Sequence, residues 1–179
     1  IDEGLITRDD APHFLELLVS YDEDLRLRAW GIVRILINKG VITVEEARRM
    51  KGYFFELLES GNEKVRSMAW VYVVYLIDNG VMILDEVREK KGYFFELLAS
   101  DNEEVRLWAW HNMEDLIDKG VITVEEAKER KRYFLELLES EHKWVTSMAW
   151  QKVEYLIKKG VITRDDLIEK GLVSEKDPG

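Results

Sequence analysis

The sequence predicts an all-α fold, a right-handed α-solenoid of stacked two-helix hairpins with a 40-residue repeat, and three observations carry that prediction. First, Trp30, Trp70, Trp110 and Trp150 share one phase with Gly40, Gly80, Gly120 and Gly160 and with Phe14, Phe54, Phe94 and Phe134. A fixed period of this length marks a repeat architecture. Leu-Leu at 17–18, 57–58, 97–98 and 137–138, and Leu-Ile at 36–37, 76–77, 116–117 and 156–157, keep the same phase. Second, apolar residues between these anchors fall at helical spacing. Third, no segment sustains a period of two, so strands are not expected.

Composition agrees. The chain has 179 residues, 46% hydrophobic and 35% charged, with no cysteine and two prolines. These values exclude a disordered chain, collagen and a disulfide scaffold. A net charge of −10 opposes broad attachment to nucleic acid or an anionic membrane. The longest apolar run, Trp70 to Ile77, is far short of the roughly eighteen residues that span a bilayer. The first residues lack a basic-then-apolar leader, so a cytoplasmic location is expected.

Each unit reads as two helices. The units run over about 5–40, 41–80, 81–120 and 121–160, followed by a partial capping helix over 161–171; together these make one domain, 1–171, with a loose tail, 172–179. Ile1-Asp2-Glu3-Gly4 matches Ile77-Asp78-Asn79-Gly80, so the chain is expected to start in the last turn of a helix that preceded it. In the first unit Thr7 and Phe14 lie seven positions apart, against eleven between Thr43 and Phe54. Its first helix is therefore a turn shorter, with Pro12 near the start, where proline is tolerated.

In the second unit, Thr43 to Glu46 has the form of a capping box. Ala47, Met50, Phe54, Leu57 and Leu58 then share a face. Ser60-Gly61-Asn62 breaks the chain, and a second helix from about Glu63 buries Val65, Ala69, Val73 and Leu76. Gly80 stands where a left-handed C-terminal cap is wanted. In the third unit, Val81-Met82-Ile83-Leu84 replaces the Val-Ile-Thr-Val found elsewhere, so its first helix loses the threonine cap and gains apolar surface. Thr163-Arg164-Asp165-Asp166 opens the fifth, short helix, which Gly171 ends.

A hairpin of this size cannot hide its apolar face alone, and stacked neighbours would bury a continuous core. Asn62-Glu63-Lys64-Val65-Arg66 with Ala69 resembles the HEAT family of the armadillo/HEAT superfamily, in which a Val-Arg pair opens the second helix. The pattern recurs as Leu25-Arg26, Val65-Arg66 and Val105-Arg106. The resemblance implies second helices lining a concave surface. Two departures stand out: Val145-Thr146 lacks the arginine, and Ser20, Ser60, Ser100 and Ser140 stand where many members carry aspartate. The polar ladder between repeats is therefore expected to be partial.

No converging set of catalytic groups appears, so no enzyme activity, cofactor or metal is expected. Thiol chemistry is impossible without cysteine, and His13, His111 and His142 never take the four-residue spacing of a zinc site. Asp9-Asp10 and Asp165-Asp166 each fall in a first helical turn, where acids favour the dipole. Glu16, Glu56, Glu96 and Glu136 repeat on the side opposite Phe54 and Leu58, as a solvated face or as inter-repeat ion pairs. Tryptophans 30, 70, 110 and 150 read as packing residues, while Trp108 and Trp144 break the pattern.

Function is expected where the repeats differ. At register 71, 74 and 75 the second unit carries Val71, Val74 and Tyr75; the third carries His111, Glu114 and Asp115. Met68, Val71, Val74, Tyr75, Trp108 and His111 are thus the candidate contact residues for a protein partner or a second copy, with Leu107 widening the patch. The chain reads as a non-catalytic protein-interaction scaffold binding along the second-helix face. The alternative is a nucleic-acid or phosphate-ligand site on a basic ridge of the first helices, formed by Arg48, Arg49, Lys51, Lys90, Lys91, Arg130, Lys131 and Arg132. Glu45, Glu86 and Glu126 lie four residues before Arg49, Lys90 and Arg130, a favourable ion-pair spacing that makes the ridge a charge-laced surface. That trait, the lack of cysteine and the single glutamine, Gln151, resemble a thermophile's composition.

Overall fold

The computed structural model describes residues 6–174, and among them holds one 3-10 turn, twelve α-helices and no strand. The expectations for Ile1–Gly4 and for the tail from Glu175 onward lie outside the described residues. The chain divides into two compact units, Ile1–Phe94 and Phe95–Gly179.

In the first unit the 3-10 turn Arg8–Asp10 leads into α1 (Ala11–Leu18), followed by α2 (Glu23–Gly31), α3 (Val33–Asn38), α4 (Val44–Leu58), α5 (Glu63–Asp78) and α6 (Leu84–Arg88). The division falls within α7 (Lys91–Leu98). Helix α1 packs on α2 and α4, and α2 also packs on α4 and α5. The short first helix is as expected, with proline in its opening turn. The Trp30 ring lies 5.1 Å from that of Phe54, and Trp70 lies 5.2 Å from Phe94, both at 54°. All four side chains are fully buried. The Trp30 indole also donates to the Leu18 carbonyl at 3.1 Å, so its polar edge enters the core satisfied.

The second unit holds α8 (Glu103–Asp118), α9 (Val124–Lys128), α10 (Lys131–Leu138), α11 (Lys143–Lys159) and α12 (Arg164–Glu169). Helix α8 packs on α10 and α11, and α10 on α11. Trp110 repeats the same construction, 5.4 Å from Phe134 and donating to the Leu98 carbonyl at 3.3 Å. Trp150 is only half-buried. Forty residues beyond Phe134 the chain carries Ser174, so the phenyl ring that would complete the series is missing there.

Two recurring devices bound many of the helices. Thr43, Thr123 and Thr163 accept from the amide three residues on, and Glu46, Glu126 and Asp166 accept from the threonine amides in return. Thr7 and Asp10 close the same box before the 3-10 turn. Ile83 has no side chain to offer, and α6 keeps only half the box, Glu86 accepting from the Ile83 amide at 3.3 Å. At the C-terminal ends, Gly80 has φ of 71°, its amide reaches the Ile77 carbonyl and the Val81 amide reaches Leu76. Gly40, Gly120, Gly160 and Gly171 repeat this pairing of bonds, which a residue with a Cβ would strain.

Polar bonds fasten each hairpin and also link some hairpins to the next. Arg26, Arg66 and Arg106 donate to the carbonyls of Ser20, Ser60 and Ser100, and Thr146 reaches the Ser140 carbonyl with its hydroxyl. The serine hydroxyls donate to glutamates of the preceding hairpin: Ser60 to Glu23 at 2.9 Å and Ser140 to Glu103 at 2.8 Å. Exposed Glu56 approaches Arg26 at 3.1 Å, which makes that position an ion pair between successive hairpins.

Three helices expected to be continuous are broken. Ile32 separates α2 from α3, and a Cβ on Gly31 would stand 2.9 Å from the Tyr72 hydroxyl, so the ring presses on bare backbone. At Glu89-Lys90 and Glu129-Arg130 the ladder tightens, with Lys90 and Arg130 amides bonding three residues back to Val87 and Ala127. No proline or glycine stands at either of these two breaks.

Arg8 clamps Glu46 through both guanidinium nitrogens and also reaches the Val41 carbonyl. That clamp, helped by the Thr43 amide, holds the Glu46 carboxyl down at about 2. A depressed carboxylate stabilises the fold fully above the ordinary glutamate range and loses that contribution as pH falls through the folded value. Urea midpoints measured from pH 5 to pH 2.5 are therefore expected to fall more steeply for the native chain than for Glu46→Gln; parallel curves would show that the clamp does not contribute.

Candidate partner-binding surfaces

The expected contact residues divide between the two units. In the first, Met68 is 46% exposed and Val71 45%, both on α5. Ile32 and Ile35, on the neighbouring α2–α3 side, are 38% and 49% exposed. Val74 is half-buried. Ile32 was not among the expected residues, because the broken helix that turns it outward has no mark in the local sequence beyond Gly31.

Tyr75 has a structural task. Its hydroxyl donates to the Trp30 carbonyl at the α2–α3 break, and its ring lies 5.7 Å from Tyr72 and 6.0 Å from the Arg34 guanidinium. Burial pushes the phenol pKa well above its ordinary value, so the hydroxyl stays protonated and remains a donor. A glutamate there would unfasten the hairpins as well as alter the surface.

In the second unit, Trp108 is 45% exposed on α8, edge-on to His111 at 5.7 Å. Desolvation, with Lys152 nearby, lowers the His111 pKa and keeps the ring neutral near pH 7. Leu107, expected to widen the patch, is 2% exposed and belongs to the core. One step along the helix turns the side chain by about 100°, and the unmatched register misled the reading. Glu114 and Asp118 take Lys152 at 2.7 Å and Lys159 at 2.6 Å, and the Tyr155 hydroxyl donates to Asp118 at 3.1 Å. Sequence reasoning singled out Trp144 without giving it a role; it is 49% exposed at the start of α11.

The basic ridge is largely spent on the protein itself. Arg48 donates twice to the Gly80 carbonyl, at 2.7 and 3.1 Å, and pairs with Glu45, as does Arg49. Lys51 meets Glu86 at 2.5 Å, Lys90 meets Glu59 at 2.6 Å, and Lys131 meets Asp166 at 2.5 Å. Arg130 bonds the Glu126 carbonyl, pairs with Glu129 and stacks 3.7 Å above the Phe95 ring. Arg132 lies over the Tyr133 ring, and Lys91 also makes an electrostatic or hydrogen-bonded contact. Where Glu86–Lys90 and Glu126–Arg130 side-chain pairs were expected, Lys90 takes Glu59 and Arg130 takes the Glu126 carbonyl and the Glu129 carboxylate. Glu45–Arg49, on unbroken α4, forms at 3.6 Å.

His13 and His142 are exposed, while Asp10 and Asp166 are the carboxylates of capping boxes. Among the described residues, no group of three or more His, Asp or Glu gathers in a metal-holding arrangement, and no helix is long and apolar enough to cross a membrane. Comparison with protein-family models, curated proteins and solved structures finds no match. Tyr75→Phe is expected to lower stability by about 1 kcal/mol in chemical denaturation, since the Trp30 carbonyl loses a donor. An unchanged midpoint would mean that water replaces the phenol without cost.

Proposed function

We propose that the chain is a non-catalytic protein-interaction scaffold, a short HEAT-like right-handed solenoid of forty-residue hairpins that meets its partner along the second helices. One observation carries the reading. In the first unit, Leu25, Ile32, Ile35, Met68 and Val71 are all at least 38% exposed on α2, α3, the break between them and α5, and α2 packs on both α3 and α5. The first helices expose mostly charge, with Tyr53 on α4 and Ile83 at the entry to α6 as the exposed apolar side chains there. Apolar side chains concentrated on one kind of helix are what a docking face requires, and scattered single residues are not. The Trp–Phe contacts between successive hairpins and the serine–glutamate ladder support the stacked arrangement. A nucleic-acid or phosphate role for the ridge has weaker support, because most of its cations already hold carboxylates or carbonyls, which an incoming phosphate would have to displace.

Met68→Glu/Val71→Glu tests this. Both side chains are nearly half exposed, so the double variant is expected to fold, with circular dichroism unchanged. Light scattering of the native chain and affinity capture from its source lysate are the paired measurements. A dimer, or a captured protein, that the native chain forms and the variant loses is the expected result. The same mass and the same captured set from both chains would contradict the reading.

A further inference from the structure

The second unit carries its own exposed aromatic face, and its surroundings differ from those of the first. Trp144 opens α11 at a register that holds Asp24, Lys64 and Glu104 in the other hairpins. A position given to solvated charge three times holds a half-exposed indole once. That indole borders an open cleft of about 340 Å³, lined also by Asp101, Glu103, Glu104, His142 and Val145. Glu103 is partly committed, to the Ser140 hydroxyl at 2.8 Å and to Arg106 at 3.9 Å. Among the described residues, Asp101 and Glu104 have no ion pair. Trp108 lies one turn beyond Glu104 on α8, and exposed Asp115 and Glu154 follow along the same two helices. Lys152 and Lys159 are bound to Glu114 and Asp118, which leaves Lys143 and Lys158 as the exposed cations of α11.

We infer that this face binds an arginine- or lysine-rich peptide segment of a partner protein, one cationic side chain entering the cleft over Trp144 between Asp101 and Glu104. Charge complementarity selects the occupant. An acidic segment or a phosphate would meet three carboxylates, Asp101, Glu103 and Glu104, of which only Glu103 has an ion pair, with Arg106. A purely apolar helix would cover Trp108 and Trp144 only by stripping water from Asp101, Glu104 and Asp115 with nothing to replace it. A cation is attracted by both components, the negative π-face of the indole and the free carboxylates. Guanidinium fits best, since its plane stacks on the ring while its edge donates to oxygen. The inference rests on the scaffold reading and gives it a partner chemistry.

The test uses fluorescein-labelled tetra-arginine, with tetra-citrulline as its uncharged counterpart, in fluorescence anisotropy at 150 mM salt. The native chain should bind the first and not the second. Trp144→Ala, which leaves the net charge unchanged, should weaken binding by roughly three- to thirtyfold, and Trp144→Phe should restore part of it. Glu104→Gln should weaken binding more than Glu16→Gln, an equal charge change on the first unit. No binding by the native chain, full binding by Trp144→Ala, or equal effects of the two glutamine variants would overturn the inference. Such a result would leave the Met68/Val71 surface, tested with other variants on the other unit, to stand or fall separately.

Discussion

Each buried indole at positions 30, 70 and 110 lies against the phenyl ring twenty-four residues further along the chain. Everything else in the structure is arranged around that contact. It joins the second helix of one hairpin to the first helix of the next, and it occupies the centre of the core, where the largest side chains are excluded from water. Rings tilted at 53–54° and about 5 Å apart place the positive edge of one near the negative face of the other. The indole N–H of Trp30 and Trp110 is satisfied by a carbonyl of its own hairpin, so each tryptophan fastens its hairpin shut while filling the gap to the next. Around these contacts the glycine caps turn the chain, and the serine–glutamate and arginine–carbonyl bonds satisfy polar groups that packing would otherwise strand.

The surface follows from the same construction. First helices carry the cations and anions that stitch hairpins together, such as Arg8 with Glu46 and Lys51 with Glu86. Their charge is therefore internal bookkeeping, and little of it is left for a ligand. The second helices have their polar needs met at their ends by Asn62, Asn102 and the glycine caps, which leaves their outward sides open to variation. In the first unit that freedom yields aliphatic side chains; in the second it yields two indoles among carboxylates. Under the scaffold reading the two units offer different chemistry to a partner.

Much of this was legible in the sequence. The threonine boxes, the Leu-Ile-x-x-Gly-Val caps and the register of Trp30, Trp70 and Trp110 are local or periodic signals, and the helices fall where they point. The candidate site was less legible, because exposure depends on the neighbouring helix. Leu107 and Trp108 are adjacent in sequence, yet one is core and the other surface. Tyr75 looked like a free interface residue until its hydroxyl met a carbonyl forty-five residues away. The charge pairs were hard to read for a different reason: at the breaks at 89–90 and 129–130 the cations take other partners, Lys90 the Glu59 carboxylate and Arg130 the Glu126 carbonyl.

The most direct test of the central contact is a double-mutant cycle on Trp30→Leu and Phe54→Leu, read by urea denaturation. If the two rings join successive hairpins as described, each single variant is destabilised and the pair shows a coupling of about 0.5–1.5 kcal/mol, because the second substitution removes a partner already gone. Additive losses, within about 0.3 kcal/mol, would mean that each ring only fills volume in its own hairpin and that the contact between them does not organise the fold.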